Sequence, residues 1–425
     1  MRILVIGGGG REHTMAWKLA QSKNVEKMYA IPGNPGMASV AECIDNISIT
    51  DNDALVAFAK EHKIDLTAVG PEVPLANGIV DAFSAAGLKA FGPSKVAAEI
   101  EGSKAFSKDL MKKYHIPTAK YEVFTDAKAA RTYVEAEGAP IVIKADGLAA
   151  GKGVIVAMTL DEALNAVDSI MCDHTFGNAG SRVVIEECLI GEEASLLAFT
   201  DGETIVPMIS SQDHKRAFDG DRGPNTGGMG TYAPAPVITP EVLAIVQRDI
   251  LEPTIKAMAQ EGRKYIGCLY AGLMITADGP KVIEFNARFG DPETQVVLPL
   301  LDGDLAEIML ACIDGKLSSA KVNWKKEAAV CVVMAAGGYP ASYKKGDEIT
   351  GIADAEAGGS IVFHAGTAMS DDKIVTNGGR VLGVVATASD IKEAVAKAYV
   401  ATKKIKFDNC QYRNDIAYRA MDRLK

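Results

Sequence analysis

The feature that most constrains the fold is a glycine-rich loop between two short, largely β-branched runs, within residues 141–156. Such runs on either side of a glycine-rich connection predict a β-hairpin with a long, flexible loop. The hairpin carries two lysines and three glycines: Lys144, Gly147, Gly151, Lys152 and Gly153. Because glycines let backbone N–H groups approach a phosphate and lysines add positive charge, we expect the loop to cover a polyphosphate.

This loop differs from a Walker A motif. The pattern G-x-x-x-x-G-K-[ST] is absent, and a strand rather than a helix is expected after the loop. An ordinary hairpin with solvated lysines is the alternative interpretation. The residues further along the chain favour the phosphate-binding interpretation.

A second group of polar residues alternates with apolar residues along a predicted strand. Glu284, Asn286 and Arg288 are spaced two residues apart, so their side chains should share one face. Phe285 and Phe289 predict that the opposite face is buried, although a polar face exposed to water is the alternative. A carboxylate beside an amide oxygen suits Mg²⁺, which takes few protein ligands and is completed by substrate phosphates. An adjacent arginine can neutralise charge on a transferring phosphoryl group.

The composition is that of a soluble globular protein with two or three domains: 425 residues, 48% hydrophobic and 24% charged. A net charge of −10 provides no global basic field, which argues against a nucleic-acid partner. We find no signal peptide and no apolar run of about 18 residues, so neither export nor a membrane partner is expected. The seven cysteines are dispersed without a C-x-x-C pair, which is typical of a cytoplasmic protein without a zinc site.

The order of predicted elements indicates an α/β and α+β multidomain fold. Residues 1–101 alternate strands and helices, which predicts an N-terminal domain with a parallel sheet. Residues 102–190 contain the glycine-rich hairpin and predict a small α+β domain, and residues 191–325 predict a central domain. Residues 326–425 contain strand-like runs with glycine-rich turns and predict a C-terminal domain of mixed α/β type.

The first strand ends in four glycines, at residues 7–10, which invites comparison with a dinucleotide-binding turn. The comparison fails because Glu12 occupies the position of the third motif glycine, and no acidic ribose ligand ends the second strand. A glycine-rich turn at a helix N-terminus still suits a single phosphate or sugar hydroxyls. Asn34, Gly36 and Glu72 follow neighbouring strands and should lie at the same edge of the sheet.

Further candidates lie between the hairpin and the second polar group. Glu187 and Leu189 end a predicted strand whose backbone could bind an adenine edge, and Glu193 could bind ribose hydroxyls, although surface glutamates are common. Asp213 begins a polar, glycine-rich segment of the kind that is often functional, and it could hold a substrate ammonium group. No Ser/His/Asp or Cys/His nucleophile arrangement is recognisable.

Three motifs carry a resemblance to a known family. The segments 147–153, 225–230 and 286–293 closely resemble those of the phosphoribosylamine–glycine ligases, which are ATP-grasp enzymes of purine biosynthesis. The resemblance extends over essentially the whole chain. It implies an ATP-grasp core formed by a small lid domain at 102–190 and the central domain at 191–325, between the N-terminal and C-terminal domains.

The resemblance also implies roles for individual residues. Lys104, Lys144 and the 147–153 loop would contact the phosphates of ATP. Glu186, Glu187, Leu189 and Glu193 would surround its adenine and ribose. Glu284 and Asn286 would hold Mg²⁺ or Mn²⁺. Asp213, Arg288 and Asp291 would lie near glycine or its acyl phosphate and serve catalysis, with Asp213 and Arg288 also binding substrate. Gly9, Gly10, Asn34, Gly36 and Glu72 would lie near 5-phosphoribosylamine.

The implied reaction joins glycine to 5-phosphoribosylamine through glycyl phosphate, with ATP converted to ADP and phosphate. The absence of a protein nucleophile agrees with this chemistry, which depends on positioning and charge stabilisation. A ligase of the same fold with another acceptor and a non-catalytic nucleotide sensor are the alternatives. We expect a cytoplasmic monomer or small homo-oligomer whose partners are the three small-molecule substrates.

Overall fold

A computed structural model describes residues 1–148, 153–173 and 177–424 of the chain. Residues 1–101 form a five-stranded parallel sheet with the order β3-β2-β1-β4-β5, as the sequence predicted. Its elements are β1 (Arg2–Gly7), α1 (Gly10–Leu19), β2 (Lys27–Pro32), β3 (Glu42–Cys43), α2 (Asn52–Glu61), β4 (Leu66–Val69), α3 (Glu72–Ala76), α4 (Ile79–Ala85) and β5 (Ala90–Phe91), with a 3-10 turn at Met37–Ser39. The parallel arrangement brings the glycine turn after β1 and Glu72 after β4 to one edge of the sheet.

Two helices connect this sheet to a smaller unit, and each begins at a serine cap. Ser94 accepts a hydrogen bond from the third residue of α5, and Ser103 does the same for α6. The elements are α5 (Lys95–Gly102), α6 (Lys104–Lys113), β6 (Tyr121–Phe124), α7 (Ala127–Glu137), β7 (Ile141–Ala145), β8 (Val154–Ala157), α8 (Leu160–Met171), a 3-10 turn at Gly177–Ser181 and β9 (Val183–Glu187).

The predicted glycine-rich hairpin is present as the antiparallel pair β7–β8, at the edge of a four-stranded sheet with the order β6-β9-β7-β8. Helices α7 and α8 pack against this sheet through their own hydrophobic cluster, which includes Val134, Ile143 and Val167. Because that cluster is separate from the main core, we call residues 117–187 the lid unit. Gly151 and Lys152 lie outside the described residues.

The central part of the chain contributes an antiparallel sheet with the order β11-β10-β16-β17. The elements here are β10 (Glu192–Thr200), β11 (Ile205–Pro207), β12 (Gln212–Asp213), β13 (Arg216–Phe218), β14 (Arg222–Asn225), β15 (Gly230–Ala233), α9 (Pro240–Val246), a π-helical turn at Gln247–Leu251, α10 (Glu252–Gln260), β16 (Gly267–Thr276), β17 (Gly279–Asn286), α11 (Thr294–Val297), a 3-10 turn at Leu298–Leu300, α12 (Leu305–Ile313) and a 3-10 turn at Leu317–Ser319. A bulge in β17 leaves Ile283 without a cross-strand partner, between Val282 and Glu284.

The C-terminal part forms a five-stranded antiparallel sheet with helices, in agreement with the predicted mixed α/β type. Its elements are β18 (Ala328–Ala335), α13 (Ile352–Ala357), β19 (Ile361–His364), β20 (Thr367–Ser370), β21 (Lys373–Thr376), β22 (Arg380–Ala388), α14 (Ile391–Thr402) and α15 (Tyr418–Arg423). The sheet order is β12-β15-β18-β22-β19, so two of its strands come from the preceding part of the chain. The predicted division at residue 326 therefore does not coincide with the edge of a sheet.

One hydrophobic cluster unites the N-terminal, central and C-terminal parts. It includes Ile3 of β1, Leu197 of β10, Val296 of α11 and Phe363 of β19. This shared core holds the surfaces that surround the cleft in fixed relation. No helix among the described residues is both long enough and apolar enough to cross a membrane.

Candidate active site

A cavity of about 700 Å³ lies between the lid unit, the central sheet and the edge of the N-terminal sheet. Most of the residues predicted for the site line this cavity: Glu72, Lys104, Lys144, Gly147, Gly153, Glu186, Glu187, Leu189, Glu193, Asp213, Glu284, Asn286, Arg288 and Asp291. Gly9, Gly10, Asn34 and Gly36 do not line it. The tertiary structure thus brings together residues from six separate segments of the chain.

Two buried lysines share one buried carboxylate at the lid end of the cavity. The Nζ atoms of Lys144 and Lys108 each lie 2.8 Å from an oxygen of Glu186, and all three side chains are at most 4% exposed. The solvated-lysine interpretation of the hairpin is therefore wrong for Lys144. The carboxylate of Glu186, which was expected at adenine and ribose, balances two ammonium groups instead.

Lys108 was missed by the sequence reading, although its spacing from Lys104 places both on one face of α6. Burial lowers the pKa of Lys108 to about 8, against the opposing effect of Glu186.

The start of the glycine-rich loop is anchored to the N-terminus of α6. Lys104 Nζ donates to the carbonyl oxygen of Gly147 at 2.9 Å. The buried carboxylate of Asp146 accepts hydrogen bonds from Ala105 N at 3.0 Å and from Arg182 Nε at 2.5 Å. Gly147 has a φ of +147°, which strongly favours glycine at this position. Asp146 and Gly147 therefore leave β7 in a defined direction, and Gly147, Leu148 and Gly153 line the cavity.

The alternation predicted for β17 is present in the structure. Glu284, Asn286 and Arg288 line the cavity, and Phe285 and Phe289 are buried in the hydrophobic core, with Phe285 also reaching the cavity wall. The strand itself ends at Asn286, so Arg288 extends the same face from the following loop. The carbonyl oxygen of Ile283 at the bulge accepts a hydrogen bond from Lys144 Nζ at 3.1 Å, which links the lid sheet to the central sheet.

Glu284 has no basic side chain within ion-pair distance among the described residues. Burial by itself would raise its pKa, but the ammonium groups of Lys215, Lys144 and Lys104 together hold the pKa below the usual range. The carboxylate is therefore charged at neutral pH and available to a cation.

Arg288 is held between two carboxylates. Its Nη2 lies 3.0 Å from Glu101 Oε1, and its Nε lies 3.3 Å from Glu72 Oε2. Glu101 also accepts a hydrogen bond from Ala287 N at 2.6 Å. Glu101 lies in the last turn of helix α5 and was not selected from the sequence, because nothing local distinguishes it from a solvated helix glutamate. Glu72, expected to bind sugar hydroxyls, is ion-paired with Arg288 and lies 3.9 Å from Arg11.

Lys215 interacts with two acidic residues that were predicted for the site, Glu193 and Asp213. Its Nζ is 2.7 Å from Glu193 Oε2, and this ammonium group lowers the pKa of Glu193. Burial opposes the charged form of Lys215, but Glu193 and Asp213 raise its pKa well above the usual value. Lys215 is therefore a permanently charged cation beside the predicted adenine and ribose region.

Arg380, from the first residue of β22, joins two glycine-rich motifs. Its Nη1 donates to the carbonyl oxygens of Gly227 at 2.6 Å and Asp291 at 2.8 Å, and it lies 3.4 Å from Asp291 Oδ1. A Cβ at Gly227 would lie 3.0 Å from the guanidinium carbon, so a larger residue would displace the arginine. Burial opposes ionisation of Asp291, but Arg380 and Arg11 keep its pKa low.

Glu293 is a further cavity residue that the sequence reading left out, although it ends the 286–293 motif. It is 4% exposed and accepts hydrogen bonds from Tyr270 Oη at 3.2 Å and Ser195 Oγ at 3.4 Å. Burial, followed by repulsion from Asp213, raises the pKa of Glu293 to about 7.

The carboxylate of Glu12 binds the glycine-rich turn after β1. Gly9 N donates to Glu12 Oε2 at 2.7 Å, so the residue that breaks the dinucleotide motif caps its own helix. Asn34 Nδ2 donates to the carbonyl oxygens of Gly8 and His364, each at 2.9 Å. The hydrogen bond from Asn34 to His364 holds the N-terminal and C-terminal parts together. Of the N-terminal residues predicted to bind phosphoribosylamine, only Glu72 lines the cavity.

Three family models for phosphoribosylglycinamide synthetase match the chain: the N domain over residues 1–101, the ATP-grasp (A) domain over 102–294 and the C domain over 329–419. The phosphoribosylamine–glycine ligase of Halalkalibacterium halodurans is 58% identical over 421 residues, which cover 99% of this chain and 97% of the relative. That of Vibrio vulnificus is 55% identical over 425 residues, with 100% and 99% covered. A crystal structure of the Thermotoga maritima phosphoribosylamine–glycine ligase has a TM-score of 0.82 at 33% identity and covers 98% and 100% of the two chains.

Proposed function

The chain belongs to the phosphoribosylglycinamide synthetase family, and from the geometry of its cleft we propose how it joins glycine to 5-phosphoribosylamine. The enzyme is an ATP-dependent ligase of purine biosynthesis, with ATP as co-substrate. The observation that carries the proposal is one continuous cavity with buried lysines at the lid end and Arg288, Asp291 and Arg380 at the other.

We propose that the reaction proceeds through glycyl phosphate. A carboxylate is a poor electrophile, and transfer of the γ-phosphoryl group of ATP to the carboxylate oxygen of glycine activates its carbonyl carbon. The amine of phosphoribosylamine then attacks that carbon and displaces phosphate. The chain supplies positioning, charge stabilisation and exclusion of water rather than a nucleophile. Catalysis of phosphoryl transfer generally depends on these contributions.

At the lid end, Lys104 and Lys144 with the 147–153 loop are proposed to bind the phosphates of ATP. Their support is the direct link from Lys104 to the loop and the charge of both side chains in a largely buried site. We propose that Glu187, Leu189 and Glu193 bind adenine and ribose. Glu186 is proposed to fix Lys144 rather than to touch the nucleotide through its carboxylate.

The residues present fit a divalent cation with few protein ligands. No group of three or more His, Cys, Asp or Glu residues in the described part of the chain is arranged to hold a metal. Glu284 and Asn286 nevertheless offer a charged carboxylate and an amide on one cavity wall, a donor set that suits Mg²⁺ or Mn²⁺ when phosphate oxygens complete the shell. When bound there, such an ion would supply charge neutralisation for the phosphates.

At the acceptor end, we propose that Arg288 stabilises charge on the transferring phosphoryl group while Asp213 and Asp291 orient the glycine moiety. Glu72 lines the cavity, and the turns at Gly9, Gly10, Asn34 and Gly36 lie outside its lining; we propose that phosphoribosylamine enters from this edge of the N-terminal sheet. Its support is the common edge of the parallel sheet, where ligands bind in open α/β folds.

Mass detection of the amide product, from ATP, glycine and freshly generated phosphoribosylamine, tests the proposal. We expect a product with the mass of glycinamide ribonucleotide and one ADP per amide. Parallel reactions, in which other amines or bicarbonate replace phosphoribosylamine or glycine, test the alternative of a ligase of the same fold with another acceptor. Equal ADP release with those compounds, or none of the amide, would overturn the proposal.

We further propose four structural units, at 1–101, 102–190, 191–325 and 326–425, with β12 and β15 completing the sheet of the last. All seven cysteines are free thiols in the structure, which supports a cytoplasmic location. A monomer or small homo-oligomer is proposed as the acting species.

A further inference from the structure

The segment between β12 and β15 forms one side of the cavity. We call residues 214–227 the wall segment, and its members that line the cavity are Lys215, Arg216, Asp221, Asn225, Thr226 and Gly227. Strands β13 and β14 form a two-stranded sheet within it, and most of their residues are exposed. A hairpin of two strands is only marginally stable by itself. The wall segment therefore depends on other elements to hold it in place.

The end of the chain supplies those contacts, from residues 411–419, which we call the tail segment. Gln411 exchanges backbone hydrogen bonds with Ala335 of β18, which ties the tail segment to the C-terminal sheet. The hydrogen bonds between the tail and wall segments include those from Gln411 Nε2 to Ala217 O at 3.4 Å, Arg413 Nη1 to Arg216 O at 3.2 Å, Asn414 N to Asp219 Oδ1 at 2.7 Å, Gly220 N to Asp415 Oδ2 at 2.8 Å and Ala417 N to His214 Nε2 at 3.2 Å. The hairpin is therefore fixed from its first strand to its turn.

Three further donors of the tail segment converge on Asp221. Its Oδ1 accepts a hydrogen bond from Arg413 Nη1 at 2.8 Å, and its Oδ2 accepts from Tyr418 Oη at 2.6 Å and Arg419 Nη2 at 2.5 Å. Burial by itself would raise the pKa of Asp221, but these donors hold the pKa below its usual value. The carboxylate is therefore charged at neutral pH, and both of its oxygens are engaged by the chain itself.

The backbone on both sides of this contact lies in the left-handed region. Asp221 has a φ of +52° and Ala417 has a φ of +69°. Aspartate adopts this conformation more readily than most residues other than glycine, whereas alanine adopts it rarely. Such conformations persist only where the surrounding contacts enforce them. The tail and wall segments therefore fit together in one defined arrangement.

This arrangement fixes the backbone that carries Lys215. The carbonyl oxygen of Lys215 accepts hydrogen bonds from Thr226 N at 2.7 Å and Thr226 Oγ1 at 2.8 Å, across the hairpin. The next carbonyl, that of Arg216, is held by the fully buried Arg413. Because Lys215 Nζ lies 2.7 Å from Glu193 Oε2, the position of the hairpin determines where this ammonium group meets the nucleotide end of the cavity.

We propose that Asp221 is a positioning residue for nucleotide binding, which holds the wall segment so that Lys215 faces Glu193. This inference rests on the proposed function, because it concerns the nucleotide end of the same cavity. Asp221 acts through the backbone of β13 and does not touch the nucleotide. Loss of its carboxylate should therefore weaken nucleotide binding, and the size of that loss should depend on Lys215.

The variant Asp221→Asn tests the inference, because asparagine also tolerates the left-handed backbone but lacks the charge that binds the two arginines. Calorimetric titration with a non-hydrolysable ATP analogue and Mg²⁺ measures the dissociation constant without the acceptor reaction. We expect this constant to rise about tenfold, the effect of losing one hydrogen bond to a charged group. The matched control Asp372→Asn makes the same exchange at an exposed left-handed position, with a φ of +62°, and should bind the analogue as the parent enzyme does.

A double-mutant cycle with Lys215→Met separates positioning from a merely structural role. In the Lys215→Met enzyme, Asp221→Asn should raise the dissociation constant by less than about twofold, because the side chain through which Asp221 acts is already absent. Tyr418→Phe removes one donor to Asp221 and keeps the ring, so it should raise the constant in the parent enzyme by about threefold. Thermal melting shows which variants are folded.

The inference is overturned if folded Asp221→Asn enzyme binds the analogue within about twofold of the parent, or if its loss of affinity is equally large in the Lys215→Met enzyme. Analogue binding by Lys215→Met that matches the parent would overturn it as well. If Asp221→Asn does not fold, Tyr418→Phe decides by the same comparisons. Failure of the proposed function is distinguishable, because it would appear as absence of the amide product from the parent enzyme, whereas the analogue titration requires no acceptor.

Discussion

Replacing Glu101 by glutamine should slow catalysis by removing one of the two carboxylates that hold Arg288. Glu101 Oε1 lies 3.0 Å from Arg288 Nη2, and its side chain is 8% exposed. A hydrogen bond to a charged group contributes about 1.5–3 kcal/mol. Glu72 remains in contact with the guanidinium, so we take about 2 kcal/mol, which corresponds to a decrease of about thirtyfold in kcat.

Steady-state kinetics with each substrate varied in turn measures this effect. Because the lysines at the lid end are unchanged, we expect the KM for ATP to stay within threefold of the parent value. Glu99→Gln is the matched control: it lies on the same helix, contacts Arg263 at the surface and should lower kcat by less than twofold. A Glu101→Gln enzyme that is folded by circular dichroism and retains kcat within threefold would refute the positioning role of Glu101.

Three further substitutions test other parts of the site. Glu284→Ala should abolish turnover in Mg²⁺ while the melting temperature changes little, and near-full turnover would refute the metal assignment. Lys144→Met should raise the KM for ATP about tenfold or more, because the proposed phosphate contact is lost and Glu186 keeps only Lys108 of its two ion-pair partners. An unchanged dependence on ATP in initial-rate assays would contradict it. Arg380→Ala should lower kcat about tenfold, since Gly227 and Asp291 lose their common hydrogen-bond donor. Arg380→Lys should recover part of this loss, because both hydrogen bonds come from the single nitrogen Nη1. Equal activity of the parent enzyme and both variants would argue against the role.

Local sequence patterns predicted those features that depend only on residues close to one another in the chain. The hairpin β7–β8 was predicted because β-branched runs flank a glycine-rich loop, and the face of β17 was predicted because side chains alternate along a strand. Helix α14 was missed, and so were the short strands β12 and β15, whose two and four residues are too few for a periodic pattern.

The missing site residues share a different cause. Glu101, Lys108 and Arg380 are ordinary charged residues in sequence, and each becomes informative only through a partner far along the chain. Glu12 was noticed in the sequence as a departure from the dinucleotide motif, but its role was not. The structure explains it, because the Glu12 carboxylate accepts a hydrogen bond from Gly9 N and caps its own helix.

Sequence alone determined the parallel N-terminal sheet, the glycine-rich hairpin, the polar face of β17 and the family to which these motifs point. Spacing along the chain sets those features, since strand and turn geometry depend on neighbouring residues. Only the tertiary structure decided which carboxylates are neutralised by lysine or arginine and which face the cavity without a cation. That distinction depends on distances of a few ångströms between segments that are up to hundreds of residues apart, where burial makes each unmatched charge costly.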